Sequence, residues 1–230
     1  MEGGTSLASG THNWLDQFVW LTAGLFLLCS FGLIAAAQVL GCLRIYVIQS
    51  ALLTASTLLL AVKYASSDLL AVAGIYLAAK IILIPWLMRR TARRAMITRR
   101  ELQLIINVPM SLLIALLLTI LAYFITSPLC HAQAQVIRAQ LPIGFAAVFI
   151  AIYAITIRRE ALPQMLGLLA IENGAFFAGI AVAPTFPLIG EVAAAFDVLM
   201  VVLTLGVLSR RIHHISGSTQ VGLLAELQED

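Results

Sequence analysis

The chain has 230 residues, of which 61% are hydrophobic and only 11% charged, and its mean hydropathy is +1.01. Soluble domains carry about 25% charged residues, so this composition excludes a soluble domain and points to an integral membrane protein. The formal net charge of +3 is accounted for below by where the arginines fall, not by a nucleic-acid partner.

Apolar runs of about 20 residues are long enough to cross a hydrocarbon core as helices. Seven such runs are present, at 16–39, 44–65, 68–88, 107–127, 141–158, 162–184 and 189–208. The first follows a polar leader containing His12 and Asp16 and is too long for the apolar region of a cleaved signal. The second carries Lys63 near one end, where a long cationic side chain can snorkel to the interface, and Gln49 and Ser50 interrupt its start. The third, "GIYLAAKIILIPWLMRR", contains Lys80, with Tyr76 one turn before it and Pro85 five residues after it. Proline removes a helical hydrogen bond, so a kink is expected there, opening a way for water to the lysine. The sixth carries Glu172 and Asn173 side by side, and Gly167, Gly174, Ala175, Ala178 and Gly179 let neighbouring helices approach closely. The seventh carries Asp197, with Ala193 and Ala194 one turn earlier.

The expected fold is therefore all-α, a polytopic bundle of about seven transmembrane helices. Three regions are expected: a four-helix membrane region at 1–127, a three-helix membrane region at 128–216 and a cytoplasmic tail at 217–230. With seven helices, Arg44, Arg89, Arg90, Arg93, Arg94, Arg99, Arg100, Arg158, Arg159, Arg210 and Arg211 fall on one side, eleven of the fourteen Lys and Arg. Lys63 and Arg138 fall on the other. The positive-inside bias then places the N-terminus outside and the C-terminus in the cytoplasm.

Cys29, Cys42 and Cys130 are odd in number and fall on opposite sides, which fits neither a disulfide nor a metal site. The adjacent His213 and His214 read as an interfacial helix end, and no metal ligands or catalytic residues are assigned. The basic segment "MRRTARRAMITRRELQ" reads as topogenic charge in contact with anionic lipid. The tail "GSTQVGLLAELQED" spaces Val221, Leu224 and Leu227 about one turn apart, which suits either a short amphipathic helix lying on a partner or a frayed terminus.

The chemistry-bearing residues are the three intramembrane charges. Lys80, Glu172 and Asp197 all lie about 12 to 18 Å from the cytoplasmic ends of their helices. Each costs about 2.5 to 3.5 kcal/mol at a helix centre on the insertion scale. Two readings follow: a proton path through the protein interior, or a buried ion pair or triad that only fixes helix register.

The last three helices, through "RREALPQMLGLLAIENGAFF" and "EVAAAFDVLMVVLTLGVLSRRIHH", resemble the K-type subunit of respiratory complex I. The whole chain, with four further helices ahead, resembles component E of hydrogenase-4 type formate hydrogenlyases. Glu172 falls about one turn after the first K-type glutamate on nearly the same face, and Asp197 takes the place of the second. The resemblance implies a multi-pass subunit of the bacterial cytoplasmic membrane, not an enzyme by itself. It also implies antiporter-like membrane partners and a soluble redox module that holds nickel-iron and iron-sulfur centres, with no cofactor in this chain. Glu172 and Asp197 would be relay acids for protons or Na⁺, Lys80 a modulating charge, and Asn173, Tyr76 and Pro85 supporting residues. The alternative role is a scaffold between antiporter-like subunits; a solute carrier acting alone fits less well, because neither repeats nor a pair of broken helices is present.

Overall fold

The computed structural model describes residues 4–86, 106–130, 135–158 and 161–182, together with positions 199 and 206. Its elements are all helical. In chain order they are α1 (Gly4–Ala35), α2 (Val39–Tyr64), α3 (Ser67–Trp86), α4 (Val108–Cys130), α5 (Gln135–Thr156) and α6 (Ala161–Val182). These occupy the first six expected segments. Four of them, Trp14–Ala35, Val39–Tyr64, Ser67–Trp86 and Val108–Leu129, are long and apolar enough to cross a membrane. The expected seventh helix with Asp197, the arginine segment Arg89 to Arg100 and the tail 217–230 lie outside the described residues.

Helix ends show why the boundaries fall where they do. α2 begins at Val39 because Gln38 is extended (φ −129°, ψ 146°) and its carbonyl accepts from the Cys42 N–H at 3.0 Å. That is five residues earlier than the hydropathy alone suggests, and it places Arg44 inside the helix, with its side chain exposed. α2 ends at Ala65, whose backbone is left-handed (φ 49°, ψ 39°), and the Ser66 N–H returns to the Ala61 carbonyl at 3.1 Å. Helices often close in this way, but the position usually belongs to glycine. Ser66 then caps α3, its hydroxyl accepting from the Leu69 N–H at 3.4 Å. The two helices are thus joined by a two-residue turn that returns the chain antiparallel.

Pro85 acts on α3 differently from a simple kink. Leu77–Leu83 is π-helical, and the Ile84 N–H reaches back to the Ala79 carbonyl, five residues earlier. Proline cannot donate to the preceding turn, and the wider π turn accommodates that loss just upstream. Lys80 sits inside this stretch and is fully buried.

Among the described helices, α5 and α6 share the most extensive interface. It depends on glycine. A Cβ on Gly144 would lie 2.6 Å from the Ala178 Cβ and 2.8 Å from the Gly174 carbonyl oxygen, and one on Gly174 would lie 2.9 Å from the Val148 backbone nitrogen. Small residues let two backbones meet where lipid gives no hydrophobic drive. Of the small residues expected to serve this purpose, Gly167, Gly174 and Ala178 do so, whereas Ala175 is exposed and Gly179 has open space beside it. α4 is peripheral. Its Ser111, Ala115, Ala122 and Thr126 form one buried face, while Leu113, Leu116, Leu117, Ile120, Leu121 and Phe124 point outward.

Candidate functional site: a buried charge pair

α6 is held against the rest of the bundle by its glycine face, and this presents Glu172 and Asn173 toward α2 and α3. The π stretch of α3 brings Lys80 to meet them. Lys80 Nζ lies 3.1 Å from Glu172 Oε1 and donates to Asn173 Oδ1 at 3.0 Å. Asn173 Nδ2 in turn donates to the Ser50 hydroxyl on α2 at 3.0 Å. The side chains of Lys80 and Glu172 are 0% and 2% exposed, so the pair is sealed from its surroundings.

Two aromatic rings complete the enclosure. Nζ stands 5.1 Å from the Tyr76 ring centroid and 5.0 Å from that of Phe176. The rings are themselves 5.9 Å apart, tilted by 42°. Helical spacing explains the arrangement: Tyr76 precedes Lys80 by four residues and Phe176 follows Glu172 by four, so each ring shares a face with its charge. Ammonium held over ring faces gains about 2 kcal/mol or more when desolvated, which offsets part of the cost of removing the charge from water.

The structure therefore brings together Lys80, Glu172, Asn173 and Tyr76 from the residues singled out in the sequence. Pro85 stands one turn beyond Lys80 and shapes its helix. Asp197 lies outside the described residues. Ser50 and Phe176 are additions. Ser50, which the hydropathy reading treats as an interruption of a span, is a fully buried hydrogen-bond partner. Its neighbour Gln49 is also buried and donates to Ser30 on α1 at 3.0 Å.

The charges expected at the membrane surface behave in two ways. Lys63 does not simply snorkel; it pairs with Asp16 of α1, with side chains 18% and 28% exposed. Arg158 is only 2% exposed, unlike a loop arginine that serves the topology alone. Its guanidinium donates to Cys42 Sγ at 2.8 Å and to the Leu33 carbonyl. Leu33 is in the last turn of α1, where carbonyls lack helical partners and the helix dipole favours a cation. Arg158 thus ties the end of α5 to the end of α1 and the start of α2.

Fold and site together define a helical membrane protein with a charged pair closed between its helices. The chain is 32% identical over 207 residues to the uncharacterized protein Rv0085 of Mycobacterium tuberculosis, covering 90% of this chain and 94% of that protein, and it belongs to that protein's family. It is also 26% identical over 206 residues to hydrogenase-4 component E of Escherichia coli and of Shigella flexneri, covering 90% of this chain and 95% of each relative. That is a distant homology to a component of a larger complex. No protein-family model matches the chain, and no solved structure matches it.

Proposed function

We propose that this chain is a membrane-arm subunit of a hydrogenase-4 or complex I-type redox complex, and that Glu172, with Lys80 beside it, takes part in moving protons across the membrane. The observation that carries the reading is the Lys80–Glu172 contact at 3.1 Å, out of reach of solvent and with Glu172 near the middle of α6, in a distant homologue of hydrogenase-4 component E. Intramembrane ionisable residues are rare and mark ion pathways and proton relays. A proton arriving at the Glu172 carboxylate neutralises it and loosens its hold on Nζ, and its departure restores the pair. Asp197 is the second relay acid in this reading.

The chain is an accessory subunit and not an enzyme by itself. Its partners are antiporter-like membrane subunits and a soluble redox module, where the nickel-iron and iron-sulfur centres do the electron chemistry. It spans the bacterial inner membrane several times, with the N-terminus outside and the C-terminus, like Arg89 to Arg100, in the cytoplasm.

The test is Glu172→Gln in sealed membrane vesicles that contain the assembled complex. Proton translocation, normalised to the amount of assembled subunit, falls while the redox activity of the soluble module persists. Unchanged translocation at normal subunit levels refutes the relay. A second reading, a scaffold with a static pair, draws support from the enclosure of Nζ by Glu172, Asn173, Tyr76 and Phe176. It predicts that the charge swap Lys80→Glu/Glu172→Lys restores both assembly and translocation. The relay predicts that the swap restores assembly only.

A further inference from the structure

The surroundings of Lys80 Nζ are those of a bound monovalent cation. A carboxylate oxygen lies at 3.1 Å, an amide oxygen at 3.0 Å and two ring faces at 5.0 and 5.1 Å. Carboxylate and amide oxygens are ligands suited to hard cations, and the faces of aromatic rings attract any cation. Here the cation is part of the chain.

We infer that Lys80 is a tethered cation filling a monovalent-cation site made by Glu172, Asn173, Tyr76 and Phe176, and that its presence makes the site pass protons and reject Na⁺. Space and ligand number support the selectivity. A proton can add to or leave a Glu172 oxygen already present without needing new space or ligands. A sodium ion needs several oxygen ligands, and the lysine occupies the position facing two of them. Without the lysine the position opens: Glu172 contributes one negative charge, and the Glu172 carboxylate and the Asn173 amide oxygen face the vacated position as ligands.

This inference deepens the translocation reading by naming the ion, and its test is a binding measurement. The full chain is purified in detergent, and its unfolding midpoint is compared in NaCl and in choline chloride at equal ionic strength and alkaline pH. The wild-type midpoint is the same in both salts. Lys80→Met unfolds at a lower midpoint in choline chloride and rises by a few degrees for each tenfold increase in Na⁺ above its dissociation constant, as expected for a ligand that binds only the folded state. Lys80→Met/Glu172→Gln, which lacks the negative charge, does not respond to Na⁺. Where Lys80→Met is not recovered folded, Lys80→Gln, which keeps a polar tip in the cage, takes its place.

Two results overturn the inference. One is a rise of the wild-type midpoint with Na⁺ that Glu172→Gln abolishes, since Na⁺ then binds beside the lysine. The other is a folded Lys80→Met that ignores Na⁺, since the cage is then not a cation site. Either leaves the effect of Glu172→Gln on translocation standing, while an unchanged translocation in that variant removes the relay and leaves the binding result intact.

Discussion

Among the described residues are two lysine–carboxylate pairs of similar chemistry in different settings. Lys63, in the last turn of α2, meets Asp16 of α1, with side chains 18% and 28% exposed. Lys80 and Glu172 meet between α3 and α6 with 0% and 2% exposed, and two further helix-borne groups, Asn173 and Ser50, extend the network. The outer pair can exchange its partners for water or lipid headgroups. The inner pair cannot, so any change of charge there must be balanced within the protein. This difference, and not the presence of a salt bridge, makes the inner pair the candidate for ion handling and the outer pair a local fastening.

Breaking the inner pair should have the largest effect. Lys80→Met leaves a buried carboxylate without its counter-charge and should cost about 3–5 kcal/mol of stability, measured by unfolding of the purified chain in choline chloride. Lys80→Met/Glu172→Gln should cost less than Lys80→Met alone, because the pair is removed as a neutral unit; a purely additive loss would show that the two groups are not coupled. Gly144→Ala tests the support behind Glu172. Its Cβ would fall 2.6 Å from the Ala178 Cβ and 2.7 Å from the Ala178 backbone nitrogen, so the two helices must separate, at a cost of about 1–3 kcal/mol.

The outer pair supplies the smaller effects. Lys63→Ala should cost no more than about 1 kcal/mol, the range for partly exposed ion pairs, and the loss should shrink at high salt. A loss as large as that of Lys80→Met would erase the distinction between the pairs. At the turn beside it, Ala65→Gly should raise stability by less than about 1 kcal/mol. It relieves a left-handed backbone that costs an L-residue about 1–2 kcal/mol, and gives back part of the gain through the greater freedom of glycine when unfolded.

Much of this was legible in the sequence because membrane helices are written in hydropathy. The six described helices sit in six of the seven apolar runs, and Lys80 and Glu172 stand out because a charge in an apolar run has few alternatives to a partner. Tyr76 was readable from its four-residue spacing to Lys80. Phe176 was not, since one phenylalanine among many apolar residues carries no mark of the cation it covers. Ser50 and Gln49 carried a signal of the opposite sense: in a hydropathy profile they weaken a span, whereas in the bundle they are hydrogen-bonding positions that hold it to α6 and α1. Pro85 announced a disturbance of α3 but not its form, because whether a helix bends or widens into a π turn depends on packing. The partners of Arg158 carried no sequence signal, because a count of positive residues by side is blind to carbonyls left open at a neighbouring helix end.

The most direct measurement of the account is proton translocation in sealed vesicles whose assembled complex carries Lys80→Met/Glu172→Gln. This double variant removes both charges and spares the bundle an unpaired one, so it separates chemistry from architecture. The account predicts assembly close to normal with translocation lost. Translocation at the wild-type rate would contradict it and leave the buried pair as a fastening of the fold.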